Sequence, residues 1–379
     1  MDSRGAQRKA SMHRPLSSSA SLVAVIAASA ILALSACSAL PAAPASEPTL
    51  SGDPQMPLAQ LKFLDDPASW QGESTAILRD ASITGERPTQ SLPATVTSRD
   101  LAGDVTVTVT STDRILPMDV SGSIAATVFG LGFGDSVVGR DVSTTFSEAV
   151  DLPVVTSSGH TVNSEAILAL RPSVVITDGT IGPIDVVLQL RDAGIPIVFV
   201  DTDPSIDGVG ELARQVSQAL GAPAAGEALA VELVAGIEAK VAEIGELAAS
   251  TTPLRMLFLY LRGSSGIYYL FGKNSGADVL IRSLGGVDVA AEIGLEELRP
   301  MTDEAMVAAN PDLILVMSGG LESVGGVDGL LQDKPAIALT VAGQNRRFVD
   351  MADGEVLSFG PRTADVLDAL ARAIYAPGE

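Results

Sequence analysis

In 379 residues the sequence has one cysteine, two histidines, one tryptophan and four tyrosines. One cysteine cannot close an internal disulfide or build a cysteine-rich metal site. The 24 basic residues are outnumbered by 46 acidic ones, giving a net charge of −22, which excludes the basic surfaces that nucleic acids select. No serine elbow, no HExxH helix and no paired-carboxylate constellation is found, so the usual hydrolytic chemistries have no carrier. What the chain does have is apolar mass: 46% of residues are hydrophobic and 18% charged. Its length allows about two domains beyond a leader.

The leader is legible. Arg4, Arg8, Lys9 and Arg14 precede an apolar run from Leu22 to Leu34, the pattern of an export signal. The run is shorter than the ~20 apolar residues of a membrane span. It ends at Leu34-Ser35-Ala36-Cys37, which resembles the lipobox of bacterial lipoproteins. That resemblance implies a signal peptide over 1–36, a lipid on the Cys37 thiol and an extracytoplasmic protein anchored to the cell membrane. Residues 37–57 are rich in Ala, Pro and Ser and suit a flexible tether.

Past an extension of mixed character, the pattern turns regular. VTVTVTS (105–111) alternates as a strand does. SGSIAATVFGLG reads as a helix closed by glycine, followed by short strands at SVVGRD and LPVVT. GLGFG follows a helix and precedes a strand, the reverse of the dinucleotide-loop order, and is rejected as one. Residues 163–203 then read as helix, buried strand, helix, buried strand. An amphipathic helix over 205–220 precedes a long proline-free helical pattern to residue 249. The β-α alternation restarts after Pro253. NSEAILALRPSVVI (163–176) matches TDEAMVAANPDLIL (302–315) at a constant offset of 139. Two similar lobes joined by one long helix follow: an N-terminal lobe with its extension over 58–222, a bridging helix over 223–249 and a C-terminal lobe over 250–379.

His160, in TSSGHTVNSEAI, is the one histidine beyond the leader. It sits between an apolar strand and a helix, where open α/β sheets bind ligands. On position alone it is either a ligand or a hydrogen-bonding loop residue. In LRMLFLYLRGSS (254–265), Met256, Phe258, Tyr260 and Arg262 share one strand face and Leu257, Leu259 and Leu261 the other. The leucine side is expected in the core, with Tyr260 and Arg262 projecting at the strand's carboxyl end. A neighbouring guanidinium favours phenolate, a hard anionic ligand for ferric iron; a core tyrosine beside a snorkelling arginine is the alternative. Tyr268 and Tyr269, on the next strand, are candidates for ring-face contact. A histidine from one lobe and a tyrosinate from the other cannot complete a zinc or manganese site. They can fill both axial positions of a macrocycle that brings its own four nitrogens, which is haem. Arg262, Lys273 and Arg299 are the cations available to its carboxylates.

From the lipobox to about residue 375, and most strongly in RILPMDVSGSIAATVFGLGFGDSVVGRD, TSSGHTVNSEAILALRP and LFLYLRG, the chain resembles the HmuT-like haem-binding lipoproteins of bacterial ABC haem importers. The resemblance implies a class III α/β fold of two Rossmann-like lobes and one bridging helix. It also implies iron ligation by His160 and Tyr260, with Arg262 supporting the tyrosine. Glu165 and Glu304, which open the repeated helices, would dock on the permease. The implied cargo is haem b, the partners a permease with its ATPase, and the state a monomer that binds without turnover. A receptor for a ferric siderophore or a corrinoid is the alternative within the same fold.

Overall fold

The strands of each lobe read as unbroken apolar runs because both faces of each sheet are covered. A computed structural model of the protein describes residues 49–50, 56–79, 82–100, 103–157 and 159–378. The leader, Cys37 and most of the tether lie outside the described residues. In the N-terminal lobe Ile115–Met118, Val174–Thr177 and Ile197–Phe199 form a parallel sheet. Ile115, Val174, Ile176 and Val198 enter one core; Leu116, Met118, Val175, Ile197 and Phe199 enter the core behind. Period-two alternation thus separates two apolar faces instead of an apolar from a polar one.

The C-terminal lobe repeats this with Phe348–Met351, Leu313–Met317 and Arg255–Arg262 in parallel. Ile267–Phe271 and Leu298–Pro300 are added antiparallel. The leucine face of Arg255–Arg262 is core as expected, but Met256 and Phe258 are also fully buried, in the core on the other side. Only the end of this strand outruns its cover.

The internal repeat is structural. Ser164–Leu170 and Asp303–Ala309 are seven-residue helices whose caps, Asn163 and Thr302, each accept the backbone N–H three residues on at 3.1 Å. Both helices stop at a left-handed residue, Arg171 (φ 47°) or Asn310 (φ 38°), and a proline then bars continuation.

The sequence expectation differs from the structure in two places. SVVGRD and LPVVT make isolated bridges, Ile115 with Val137 and Arg140 with Val154, and no ladder; Pro153 has no N–H to donate. The extension divides between the lobes. Ser74–Thr75 pairs with Val349–Asp350, Thr49–Leu50 pairs with Ser74–Thr75, and Leu58, Leu61 and Ala76 join the C-terminal core. Ala94–Ser98 and Val105–Val109 pair antiparallel, and their Val96, Val107 and Val109 pack on the N-terminal lobe.

The helix Pro223–Ala248, with proline at its first turn, spans about 39 Å. Ala225 and Leu229 pack on the N-terminal core, and Ile237, Ile244 and Ala248 belong to the C-terminal one. Its contact with the helix Ile206–Ala219 is close: a Cβ on Gly226 would run into the Ser217 side chain and lie 2.8 Å from the Ala213 carbonyl oxygen. Gly236 has no such neighbour within 4 Å. Among the described residues no helix is long and apolar enough to cross a membrane.

Urea denaturation separates these two glycines. Gly226→Ala is expected to cost about 1–3 kcal/mol by overpacking. Gly236→Ala should instead gain about 0.5–1 kcal/mol, because glycine disfavours a helix interior. Equal effects of the two would mean that the helix is not seated as described.

Candidate functional site

The carboxyl ends of both sheets face a common cleft of about 890 Å³. Its lining is largely aliphatic and aromatic: Val120, Val142, Leu212, Phe271, Leu298, Met317, Leu357 and Phe359. Val120, Val142 and Leu298 are 41%, 37% and 46% exposed, apolar surface that a monomer keeps uncovered chiefly where something binds.

His160 enters the cleft from the N-terminal lobe. Its loop is a tight reversal closed by the Thr156 to Val162 bridge, with Ser157 N–H donating to the Thr161 carbonyl at 2.9 Å. His160 itself is left-handed, φ 59°, and half-buried. Its Nδ1 lies 3.5 Å from Ser143 Oγ. Tyr260 and Arg262 enter from the C-terminal lobe. Tyr260 stacks on Phe271 at 5.9 Å between centroids, and the Arg262 guanidinium lies 5.0 Å from the centre of the Tyr260 ring. Arg262 also pairs with Asp353 at 2.9 Å. Asp353 in turn accepts the Gly319 N–H at 2.8 Å. The cation that accompanies the phenol is thus itself anchored by a carboxylate.

The two other candidate tyrosines, Tyr268 and Tyr269, are not part of the lining. Tyr268 is opposite Leu261, on the leucine face, with the Lys334 ammonium 4.0 Å from its ring centre. Tyr269 is opposite Tyr260 and Pro300 but does not reach the cleft. Both were expected there from sequence adjacency; hairpin pairing turns Tyr268 away, because directly opposed residues share a face, whereas Tyr269 shares the face of Tyr260 but lies outside the cleft lining. Of the cations, Arg299 is opposite Leu270 and so faces away, whereas Lys273 is exposed between the cleft-lining Phe271 and Ser275. Glu165 and Glu304 occupy the first turns of the repeated helices, are exposed, and form no ion pair among the described residues.

Sequence reading missed the polar floor beneath His160. Asp119, Asp141 and Asp178 each follow an apolar segment of the N-terminal lobe, a place where acids serve loops. Asp119 is fully buried. It accepts Ser123 N–H at 3.0 Å, Ile124 N–H at 3.2 Å and the Ser121 and Ser123 hydroxyls. Asp141 accepts Ser143 N–H at 2.7 Å and Thr144 N–H at 2.8 Å, and Asp119 N–H donates to its other oxygen at 3.1 Å. Burial, then the charges of Asp141 and Asp178, push the Asp119 pKa up to about 7. Asp141 is pushed up by burial against the pull of its N–H donors.

A model of the periplasmic binding protein family matches residues 120–353, more than half of the chain. The chain belongs to the periplasmic binding protein family. Its single bridging helix places it in class III of that fold. The crystal structure of heme binding protein HmuT is 40% identical, with a TM-score of 0.75, over 82% of this chain and 99% of that one. Further structures of that protein carry replacements of a histidine, of a tyrosine and of the arginine two positions after the tyrosine. The periplasmic heme-binding protein RhuT from Roseiflexus sp. RS-1 is 39% identical, with a TM-score of 0.62, over 71% of this chain and 100% of that one. YvrC of Bacillus subtilis (strain 168), an uncharacterized ABC transporter substrate-binding lipoprotein, is 28% identical over 253 residues, which is 65% of this chain and 76% of the relative.

Asp119 makes stability depend on pH with a defined sign. The folded chain holds its proton up to about pH 7, whereas the unfolded chain releases it near pH 4. Between those values the folded state binds more protons, so stability falls as pH rises and levels off above about 7. Asp119→Asn removes this titration. The thermal midpoint of the parent should drop relative to the variant from about pH 4 to about pH 7; a difference constant across that window would overturn the assignment.

Proposed function

We propose that this protein is the haem receptor of an ABC importer, binding haem b as cargo between its lobes and handing it to the permease. The observation that carries the reading is that His160 and Tyr260 line one apolar cleft from opposite lobes. A flat macrocycle placed there loses both apolar faces from water. Imidazole and phenolate then meet the iron from opposite sides. Among the described residues no three His, Cys, Asp or Glu side chains converge as a metal site, so the iron's equatorial donors would come from the macrocycle. Arg262, 5.0 Å from the centre of the Tyr260 ring, would hold that ring toward the cleft. The resemblance to HmuT and RhuT supports the same cargo. Cys37 would carry the lipid anchor. Glu165 and Glu304, at equivalent points of the two lobes, would each meet a cation of one permease subunit.

Hemin titration followed by visible absorption tests the assignment. His160→Ala should weaken binding and leave a high-spin spectrum of tyrosinate alone; Tyr260→Ala should do equal or greater harm, since ferric iron prefers the anionic oxygen. Tyr268→Ala, on the far face of its strand, should change neither. An unaltered spectrum in both of the first two variants would remove the ligand pair.

The docking role has its own test. An exposed ion pair contributes only about 0–1 kcal/mol, but two tethered contacts act together through effective concentration. The Glu165→Ala/Glu304→Ala double variant is therefore expected to bind hemin normally and to fail in haem uptake by cells. Normal uptake at normal surface abundance would leave both glutamates as acids that complement helix dipoles.

A further inference from the structure

At several points where the two lobes meet, the C-terminal lobe presents a glycine. Gly276 faces Pro204, where a Cβ would come within 2.8 Å, and Gly360 faces Ser123, where it would have ordinary room at 3.5 Å. Gly354 is the tightest of these junctions. A Cβ there would run into the Ser143 carbonyl oxygen and lie 2.8 Å from Thr145 Oγ1. The obstacle is backbone and is held: Ser143 N–H and Thr144 N–H are both bound to buried Asp141. A flexible side chain could swing aside, but this carbonyl cannot.

Resting on the haem reading above, we infer that the contact of Gly354 with Ser143 sets the separation of the two iron ligands. The contact stands between them. On one side Ser143 Oγ is 3.5 Å from His160 Nδ1. On the other, Asp353, the residue before Gly354, pairs with Arg262 at 2.9 Å, and Arg262 covers the Tyr260 ring. A chain of short contacts along the cleft wall therefore joins the histidine of one lobe to the tyrosine of the other. Metal–ligand distances tolerate only about 0.2 Å, so parting the lobes breaks one axial bond before it loosens the cleft as a whole. The bond to neutral imidazole goes first, because ferric iron holds the anionic oxygen more firmly. Gly354 is a positioning residue: it lines the cleft wall without a side chain of its own, and that lack lets both axial ligands reach one iron.

The test is Gly354→Ala, with Gly360→Ala as the control at a cross-lobe glycine with room to spare. Neither position is left-handed, so alanine meets no backbone strain at either, and thermal midpoints report whether both variants fold. Gly354→Ala should bind hemin about tenfold more weakly or worse, the size of an overpacking penalty. Its spectrum should be that of tyrosinate alone, close to that of His160→Ala. Gly360→Ala should match the parent. Small-angle scattering of the ligand-free proteins supplies a reading that needs no haem: the radius of gyration should rise for Gly354→Ala and stay put for Gly360→Ala. Parental spectrum and affinity in Gly354→Ala would overturn the inference, as would an unchanged radius of gyration. If the parent itself fails to bind hemin, the haem reading falls, while scattering still decides whether Gly354 spaces the lobes.

Discussion

The cleft depends on one helix being seated in two cores. Pro223–Ala248 gives Ala225 and Leu229 to the N-terminal lobe and Ile237, Ile244 and Ala248 to the C-terminal one. Rotation of either lobe about this helix must therefore disturb apolar packing at one of its ends, where protein interiors tolerate little change in volume. Gly226 against Ser217 brings the helix close to its N-terminal partner. The C-terminal tie is tightened by Lys240 of this helix, which pairs with Asp368 of the helix Thr363–Tyr375 at 2.9 Å. With the ends so held, the lobes meet elsewhere at close contacts, where glycines stand opposite Pro204, Ser143 and Ser123.

Within the N-terminal lobe, polarity is concentrated beneath the ligand loop. Asp119 and Asp141 are both at 0% exposure, and a buried carboxylate is tolerated when its oxygens are hydrogen-bonded. Asp119 caps the first helix, and Asp141 gathers the 143–144 backbone. Thr156 Oγ1 accepts the Val142 N–H at 2.9 Å, which ties the strand before the His160 loop to the same group. Three separate loops are thereby held to one polar centre, which reaches His160 through Ser143.

The repeated unit was read from sequence alone because everything that makes it is local. A polar cap, two turns of helix, a left-handed stop, a proline and a buried strand are each dictated within 14 residues, at 163–176 and again at 302–315. The bridging helix was equally legible, since 26 residues without an interior proline or a break in pattern admit little else. His160 and Tyr260 were legible for a different reason: in a chain with so few imidazoles and phenols, their place at strand ends was enough to single them out.

What sequence could not decide was anything set by partners distant along the chain. Adjacency put Tyr268 and Tyr269 at the site, but the hairpin register turned Tyr268 to the leucine face and stood Tyr269 against Pro300. The extension from residue 58 was expected with the N-terminal lobe; edge pairing of Ser74–Thr75 with Val349–Asp350 drew its first part to the other lobe. Asp353 on Arg262, Asp141 behind Ser143 and Gly354 against the Ser143 carbonyl leave no pattern in the chain, because none of them has a period or a neighbour rule. Local rules of capping, periodicity and turn chemistry act over a few residues and so are written in the sequence. The spacing between two lobes arises from contacts some 210 residues apart, about as far as Ser143 lies from Gly354, and only the folded chain brings such residues together.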